Sequence, residues 1–486
     1  MVSSLREKVI SGGLWNMIEK LGTSLLLFIA NLVLTRILAP SDFGCIGILL
    51  VFISISDAIV DGGFGAALIQ KKEVTPEDYS TIFVWNLIIS IILYFILFIT
   101  SPIIANFYKI DLLNDVLRIQ GVVLFFNGLS LVQKTILTKK LNFKKLAKIQ
   151  LSANLTGTLV AILCAINGLG IWSLVIKFIL TSIIRCILLW FSSFWYPSFY
   201  FSLKAFKKLF KFGSFVFLTS IINTLYQNLL SIILGKQFSP SVLGYFTQAR
   251  KLEDIPRQTL SSVINNVTFP AFSTMQNERT KLREVVRESL SFLSFINCTL
   301  SILMIIVAKP LIVLLFTEKW LPAVPFFQII CIYGLFLTII ELYHNILKST
   351  GNSNILFSTV LIRRVIGICL IIGGITGGIK GILAAYILSQ IISFIIVAIP
   401  LNKLINYSIL SQIIDIIPNF ILTFIIGFIV YYAFQKVSLT NNFSLIISES
   451  IVYIALILLL SRAFKMRELF LFNKIVIPTL KKIHKR

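Results

Sequence analysis

The sequence predicts an all-α polytopic membrane protein with about fourteen transmembrane helices: two parallel six-helix lobes plus two additional C-terminal helices. Three observations carry this. First, hydrophobic residues make up 57% of the 486 and charged residues only 13%, about half the charged share of a soluble domain. Second, largely apolar stretches recur along the whole chain, among them 87–99, 382–399, 420–434 and 355–375, the last interrupted only by Arg363 and Arg364. With their flanks they reach the roughly 20 residues that cross a bilayer as a helix, whereas a β-barrel would show short alternating strands. Third, part of the sequence recurs after about 200 residues.

Apolar runs between charged or Pro/Gly breaks place the spans at 13–37, 42–69, 79–107, 112–138, 146–167, 169–195, 209–234, 241–271, 288–315, 321–347, 354–375, 379–400, 410–434 and 443–461. The start, MVSSLREKVISGGLWN, has a basic region but no separate apolar stretch with a small-residue cleavage site. No cleavable signal peptide is expected, and the first helix serves as its own insertion signal.

Basic residues alternate between the connecting segments. One set of loops and termini holds 27 Lys and Arg, including Lys139, Lys140, Lys144, Lys145 and Lys148; the other holds 7. The positive-inside rule puts the first set, with both termini, in the cytoplasm. The net charge of +24 therefore sets topology and faces anionic lipid. A nucleic-acid partner would need that charge clustered on a folded polar domain, and none is predicted. The basic, partly apolar tail from 463 is expected along the inner leaflet. The six cysteines lie in apolar segments without CxxC spacing, there are two histidines, and no HExxH or GxxxxGK[ST] occurs. No catalytic residue, metal site or cofactor is expected, and no ATP-driven pump.

The repeat is clearest where LTRILAPSDFG (34–44) is echoed by LGKQFSPSVLG (234–244): Pro40 answers Pro240, Ser41 answers Ser241 and Gly44 answers Gly244. GIWSLV at 170–175 resembles GIKGIL at 378–383, and ILTSII at 179–184 resembles ILSQII at 387–392. Six spans is an even number, so both copies enter the membrane from the same side. The expected organisation is an N-terminal lobe (1–200), a C-terminal lobe (201–403), two additional helices (404–462) and a basic tail (463–486). Locally, proline ends the preceding helix, Ser41 or Asp42 can cap the next, and Gly44 lets helices approach closely. Transporters with parallel halves bind substrate between them near mid-membrane.

RILAPSDFG (36–44), DGGFGAALIQ (61–70), LNFKKLA (141–147) and GLGIWSLV (168–175) resemble the polysaccharide transporters of the MOP superfamily, the Wzx-type flippases of O-antigen, teichuronic acid and exopolysaccharide repeat units. The likeness runs in order and spacing over about residues 1–400. It implies two six-helix lobes around a central cavity. The implied substrate is an undecaprenyl-pyrophosphate-linked oligosaccharide, moved from the cytoplasmic to the outer leaflet. Membrane lipids, a coupling ion (Na⁺ or H⁺) and polysaccharide polymerase machinery are the implied partners. The superfamily also holds MATE drug exporters, so an ion-coupled small-molecule antiporter is the alternative. A membrane polymerase fits less well, because the outward loops are about ten residues long and hold no carboxylate pair.

Ionisable residues inside spans are functional candidates by default. The basic ones are Lys20, Arg118, Lys134, Lys177, Arg185, Arg250, Lys251, Arg257, Arg363 and Arg364; the acidic ones include Glu19, Asp57, Asp61, Glu253, Asp254, Glu341, Asp415 and Glu449. From helix rise, Arg250 lies roughly 15 Å and Arg257 roughly 25 Å from the turn at Pro240, and Lys20 roughly 30 Å from Pro40. Guanidinium pairs with pyrophosphate bidentately, so Arg250, Arg257 and Lys20 are the expected headgroup contacts. Asn223 and Gln227, with Gln258, Asn265 and Asn266, suit a wet wall and sugar hydroxyls. Arg250–Asp254 and Glu253–Arg257 are both spaced to neutralise each other within one helix, and Arg118 can pair with Asp115. Asp57 is the repeat-equivalent of Arg257 and is expected to face it at a gate. Asp57, Asp61 and Glu341 are also candidates for ion coupling, or for hydrogen-bonded interhelical acids.

Overall fold

A computed structural model describes residue 15 and residues 22–198, 200–435 and 441–466, with the side chains of Val263 and Asn266 left out. Helix succeeds helix: α1 (Gly22–Ile37), α2 (Pro40–Asp61), α3 (Phe64–Gln70), α4 (Pro76–Tyr108), α5 (Leu112–Gln120), α6 (Val122–Lys139), α7 (Phe143–Ile166), α8 (Ile171–Ser193), α9 (Leu203–Gln237), α10 (Pro240–Thr274), α11 (Arg279–Ile306), α12 (Ala308–Phe316), α13 (Val324–Ser349), α14 (Ser353–Gly374), α15 (Gly378–Ile405), α16 (Ile409–Gln435) and α17 (Asn442–Ala463). No strand occurs among the described residues. Among the described residues, eleven helical stretches are long and apolar enough to cross a membrane. One of them, Ser353–Ile405, contains both α14 and α15. α1 is a shorter apolar helix and α10 carries several charges, so the described helices are roughly consistent with the fourteen spans expected.

The helix ends follow their sequences. Thr75 caps α4: its hydroxyl accepts from the Asp78 N–H at 3.3 Å, and Asp78 accepts from the Thr75 N–H at 2.9 Å. Pro76 occupies the first helical position, where its missing donor costs nothing. Asp42 accepts from the Ala39 N–H at 3.1 Å, so of the two expected caps of α2 it is Asp42 that acts. Three expected spans are each built from two helices. The break between α2 and α3 falls at Gly62 and Gly63, both with positive φ (53° and 73°), backbone that side-chain-bearing residues rarely adopt. A Cβ on Gly63 would also overlap the Gly213 carbonyl oxygen of α9.

By packing, the chain forms two compact units, Met1–Thr247 and Gln248–Arg486, and α10 runs across the division. In the first unit, α7 packs along α8, α4 and α8 flank α6, and α9 lies on α2 and α3. Phe64, Phe83, Val132, Ile136 and Leu209 form a buried apolar cluster there, edged by Trp85, Trp190 and Trp195. In the second unit, α14 packs along α15, and α11 carries both α13 and α16. Its main cluster joins Phe272, Leu290, Tyr343, Leu347, Phe394 and Tyr407, and Tyr453 centres a smaller one where α17 meets α11 and α16. The hairpin α7–α8 and the hairpin α14–α15 are the corresponding pairs of the sequence repeat, and each is tightly packed in its own half.

The two P-S-x-x-G turns meet each other. A Cβ on Gly44 would overlap the Pro240 carbonyl oxygen, and a Cβ on Gly244 would overlap that of Pro40. The first turns of α2 and α10 therefore cross backbone to backbone, reciprocally. The glycines are required by this close approach, since what a side chain would strike is main chain that cannot rotate aside.

Candidate functional site

In the first unit, intramembrane charge collects where α2, α6 and α8 meet. Asn127 of α6 donates to the Asp57 carboxylate of α2 at 2.8 Å. The oxygen of the same amide accepts from Ser182 of α8 at 2.9 Å and from the Arg185 guanidinium. One carboxamide thus connects a carboxylate to a guanidinium, with every strong dipole directed favourably. Asp57 also feels Arg185 and Asp61 electrostatically. Arg185, which could have reached past the span end to water, is instead held in this network.

Asp61 ends α2 and accepts from the backbone N–H groups of Gly63 and Gly65. It serves as a cap on the α2–α3 break, with Lys134 within electrostatic reach. Arg118 does not take Asp115. Its Nε donates to Ser101 of α4 at 2.9 Å, and its guanidinium carbon lies 4.5 Å from the Phe98 ring centroid, while Asp115 accepts from Asn114. Partners on the neighbouring helix let Arg118 bury its stem, which an intrahelical pair would not.

Of the expected sugar-facing residues, Asn223 is half-buried and Gln227 exposed on α9. Between them and the core, Asn228 donates to Ser54 of α2 at 3.2 Å. Lys20 and Glu19 lie outside the described residues, as do the basic residues of the tail beyond 466.

In the second unit the charges concentrate on α10. Arg257 pairs with Glu253 at 3.2 Å and with Asp254, both on its own helix. The expected Glu253–Arg257 pair is therefore present. Asp254 turns to Arg257 at spacing three, and Arg250 lies within electrostatic reach of Tyr386, Asp254 and Tyr333. Tyr333 of α13 and Tyr386 of α15 stack with centroids 3.9 Å apart and planes 3° from parallel. The Glu253 carboxylate sits where a Cβ on Gly334 of α13 would be, so the absence of a side chain there admits the acid. Further along, Asn345 of α13 donates to Asn265 and Thr268 of α10 at 2.8 and 3.1 Å. Glu341, a turn before Asn345, is half-buried, with Oε2 enclosed and without a hydrogen-bond partner. Gln258 is exposed.

Asp57 and Arg257 each have partners inside their own unit. Asn127 and the Tyr333–Tyr386 stack escaped the sequence reading. Asn127 had a signal, a lone amide in the apolar run VVLFFNGLSLV; the tyrosines had none, since their role depends on α13 and α15 lying side by side.

A continuous profile match decides the family. Residues 33–325 match the family described as polysaccharide biosynthesis protein. The chain belongs to that family. Among its relatives, the teichuronic acid biosynthesis protein TuaB of Bacillus subtilis is 25% identical over 356 residues, covering 73% of this chain and 74% of TuaB. The lipopolysaccharide biosynthesis protein WzxC of Escherichia coli is 27% identical over 387 residues, 76% of each chain. Among solved structures, the lipid II flippase MurJ in an inward closed conformation superimposes with a TM-score of 0.75 at 15% identity, over 92% of this chain and 98% of that one. At that identity the likeness concerns the fold. This polysaccharide biosynthesis protein thus shares the fold of that flippase.

Proposed function

We propose that this protein flips undecaprenyl-pyrophosphate-linked oligosaccharide repeat units from the cytoplasmic to the outer leaflet of a bacterial cytoplasmic membrane. The two copies of the repeat (1–200 and 201–403) are the lobes that alternate, 404–462 are accessory helices, and both termini with the basic tail are cytoplasmic. The observation that carries the reading is the family match over residues 33–325, joined to the half-buried guanidinium groups of Arg250 and Arg257 on α10. Relatives named for teichuronic acid and lipopolysaccharide biosynthesis support the substrate class, and the shared fold with MurJ, a lipid II flippase, supports flipping. The sugar is set by the pathway that supplies the donor, and the polymerase machinery on the far side consumes the product.

Arg250, Arg257 and Lys20 take the pyrophosphate in this reading. Arg257 rests between two carboxylates of its own helix, so its charge is held in place before substrate arrives. An incoming pyrophosphate competes for it bidentately. Arg250, beside the tyrosine stack, faces fewer acids and is the first contact. Asn223 and Gln227 offer amides to sugar hydroxyls. Asp57 and Glu341 are the coupling candidates for Na⁺ or H⁺; the cap role of Asp61 favours a structural part for it.

Deleting the gene and measuring lipid-linked oligosaccharide separately in each leaflet tests the function. Accumulation on the cytoplasmic side is expected. Normal outward transfer with altered efflux of organic cations would replace the flippase with an antiporter. Arg250→Ala and Arg257→Ala should each lower export at least tenfold, the scale of one charge-assisted contact, with unchanged membrane levels. Full export in both removes them from the site.

A further inference from the structure

The segment FWYPSFYFS (194–202) joins α8 to α9, and transport leaves it without a task. Phe194 has a positive φ of 50° and ends α8. From there the segment lies along the start of α4. Trp195 meets the rings of Tyr79 and Phe83 edge-on, at centroid distances of 5.9 and 6.0 Å. The Ser198 hydroxyl donates to Ser80 at 2.9 Å, and the Ser202 N–H donates to Thr81 at 3.1 Å. The Ser202 hydroxyl then caps α9 by accepting from the Ala205 N–H. With these groups turned inward, others point away: Phe194, Tyr196 and Tyr200 are 78%, 73% and 56% exposed, and Leu203 is exposed beside them.

Lysines frame these rings. Lys144 and Lys145 at the start of α7, and Lys204, Lys207 and Lys208 at the start of α9, are all exposed. Two contacts put both groups on one surface. The Lys145 ammonium lies 5.5 Å from the Phe194 ring centroid, and Leu209 of α9 shares a buried cluster with Ile136 at the end of α6. α6, α7, α8 and α9 contain no Asp or Glu. The described acids at this end are Glu73, Glu77 and Asp78; Asp78 is taken by Lys71, and Lys72 stands beside Glu73. The charged start of α11 in the second unit is different. There Glu278, Glu284 and Glu288 are interspersed with the basic residues, Lys281 pairs with Glu278, and Arg287 pairs with Asp415.

Topology asks only for an excess of Lys and Arg on one side. It does not ask that the excess be left without acids, or that it surround exposed rings. Tyrosine and phenylalanine rings rest well at the level of the headgroups, with the apolar face in the acyl chains and any hydroxyl in water. Lysine beside them is a compact, hydrated point charge that suits a field of phosphates, whereas an arginine fork grips one. No arginine occurs in 136–148 or 194–211. We propose that the 194–202 segment, with the flanking lysines of α7 and α9, is a docking surface for anionic phospholipid of the bilayer. The rings enter the headgroup level and the ammonium groups take the phosphates. The surface lies in the first unit, apart from Arg250 and Arg257, and lipid docking needs no transport, so it stands or falls separately from the flippase reading.

Native mass spectrometry of the full-length protein in detergent tests it, with phosphatidylglycerol and phosphatidylcholine offered in equal amounts. Wild type should retain phosphatidylglycerol in preference. Lys144→Gln, Lys145→Gln, Lys204→Gln, Lys207→Gln and Lys208→Gln combined should lower that preference about tenfold or more. All five side chains are exposed, so the variant should fold. Tyr196→Ser with Tyr200→Ser should lower retention of both lipids. Arg279→Gln, Lys281→Gln and Arg283→Gln combined, at the start of α11, should leave the preference nearly unchanged. No preference in wild type, retention unchanged in either variant of the surface, or an equal loss in the α11 variant overturns the proposal. So does displacement of phosphatidylglycerol by an equal amount of undecaprenyl pyrophosphate, which would give the surface to the carrier.

Discussion

The charge centre of the first unit and that of the second are built in opposite ways. Asp57, Asn127, Ser182 and Arg185 come from three helices, and each is satisfied only while α2, α6 and α8 stay together. Glu253, Asp254 and Arg257 lie on one helix and satisfy one another wherever α10 goes. A network spread over helices fastens them; a network confined to one helix carries its charge as a unit. In a transporter the second arrangement suits a moving or substrate-facing element, because the guanidinium stays ionised and oriented without a fixed partner elsewhere. The first suits the rigid body against which such an element works.

The largest test of this contrast compares Asp57→Asn with Glu253→Gln. Removing the Asp57 charge takes the carboxylate from the network that holds the half-buried Arg185 guanidinium through Asn127, and losing a hydrogen bond to a charged group costs about 1.5–3 kcal/mol. Glu253→Gln leaves Arg257 its second carboxylate, Asp254, and should cost under about 1 kcal/mol. Thermal unfolding in detergent checks both. Equal destabilisation would mean that α10 depends on its neighbours as much as α2 does.

Next in size is the crossing of the two P-S-x-x-G turns. Gly44→Ala puts a methyl into the Pro240 carbonyl, and Gly244→Ala does the same at Pro40. Each should destabilise by about 1–3 kcal/mol, the usual cost of forcing atoms into a packed contact. The two substitutions act on one crossing, so the double variant should cost less than the sum of the single ones. Additive costs would show that the two glycines answer to separate contacts.

The succession of apolar helices and the family were legible because both rest on local signals: apolar length, charged breaks, and motifs such as DGGFGAALIQ. The Glu253–Arg257 pair was legible for the same reason, since four residues along a helix always share a face. Arg118 shows the limit. Its neighbour Asp115 is at pairing distance in sequence, yet Ser101 and Phe98 of α4 win, because α5 lies on α4 and burying the arginine stem there outweighs a pair open to water. Asp57–Asn127 spans 70 residues, and no periodicity carries that information. The breaks at Gly62–Gly63, Gly121 and Val307 were also hidden, because hydropathy continues across them while the backbone turns.

The smallest effect belongs to a pair that resembles the first unit's network in reach but not in burial. Arg287 of α11 holds Asp415 of α16 through two near-parallel hydrogen bonds, Nε to Oδ2 and Nη2 to Oδ1, both 2.7 Å. Tyr407, in the turn before α16, donates to the same carboxylate at 2.7 Å. Burial, and then the hydrogen bond to Asp415, push the Tyr407 phenol up from its ordinary range, so it stays protonated and keeps donating. The Arg287 side chain is 48% exposed, however, and water competes for it. Arg287→Lys keeps the charge and loses the fork, so it should cost only about 0.2–1 kcal/mol, and that loss should shrink in high salt. Asp415→Asn also weakens the Tyr407 contact and should cost more than Arg287→Lys. If both cost several kcal/mol and salt does not matter, the α11–α16 contact is a buried fastening like that of Asp57, and exposure is a poor guide to how these helices are held.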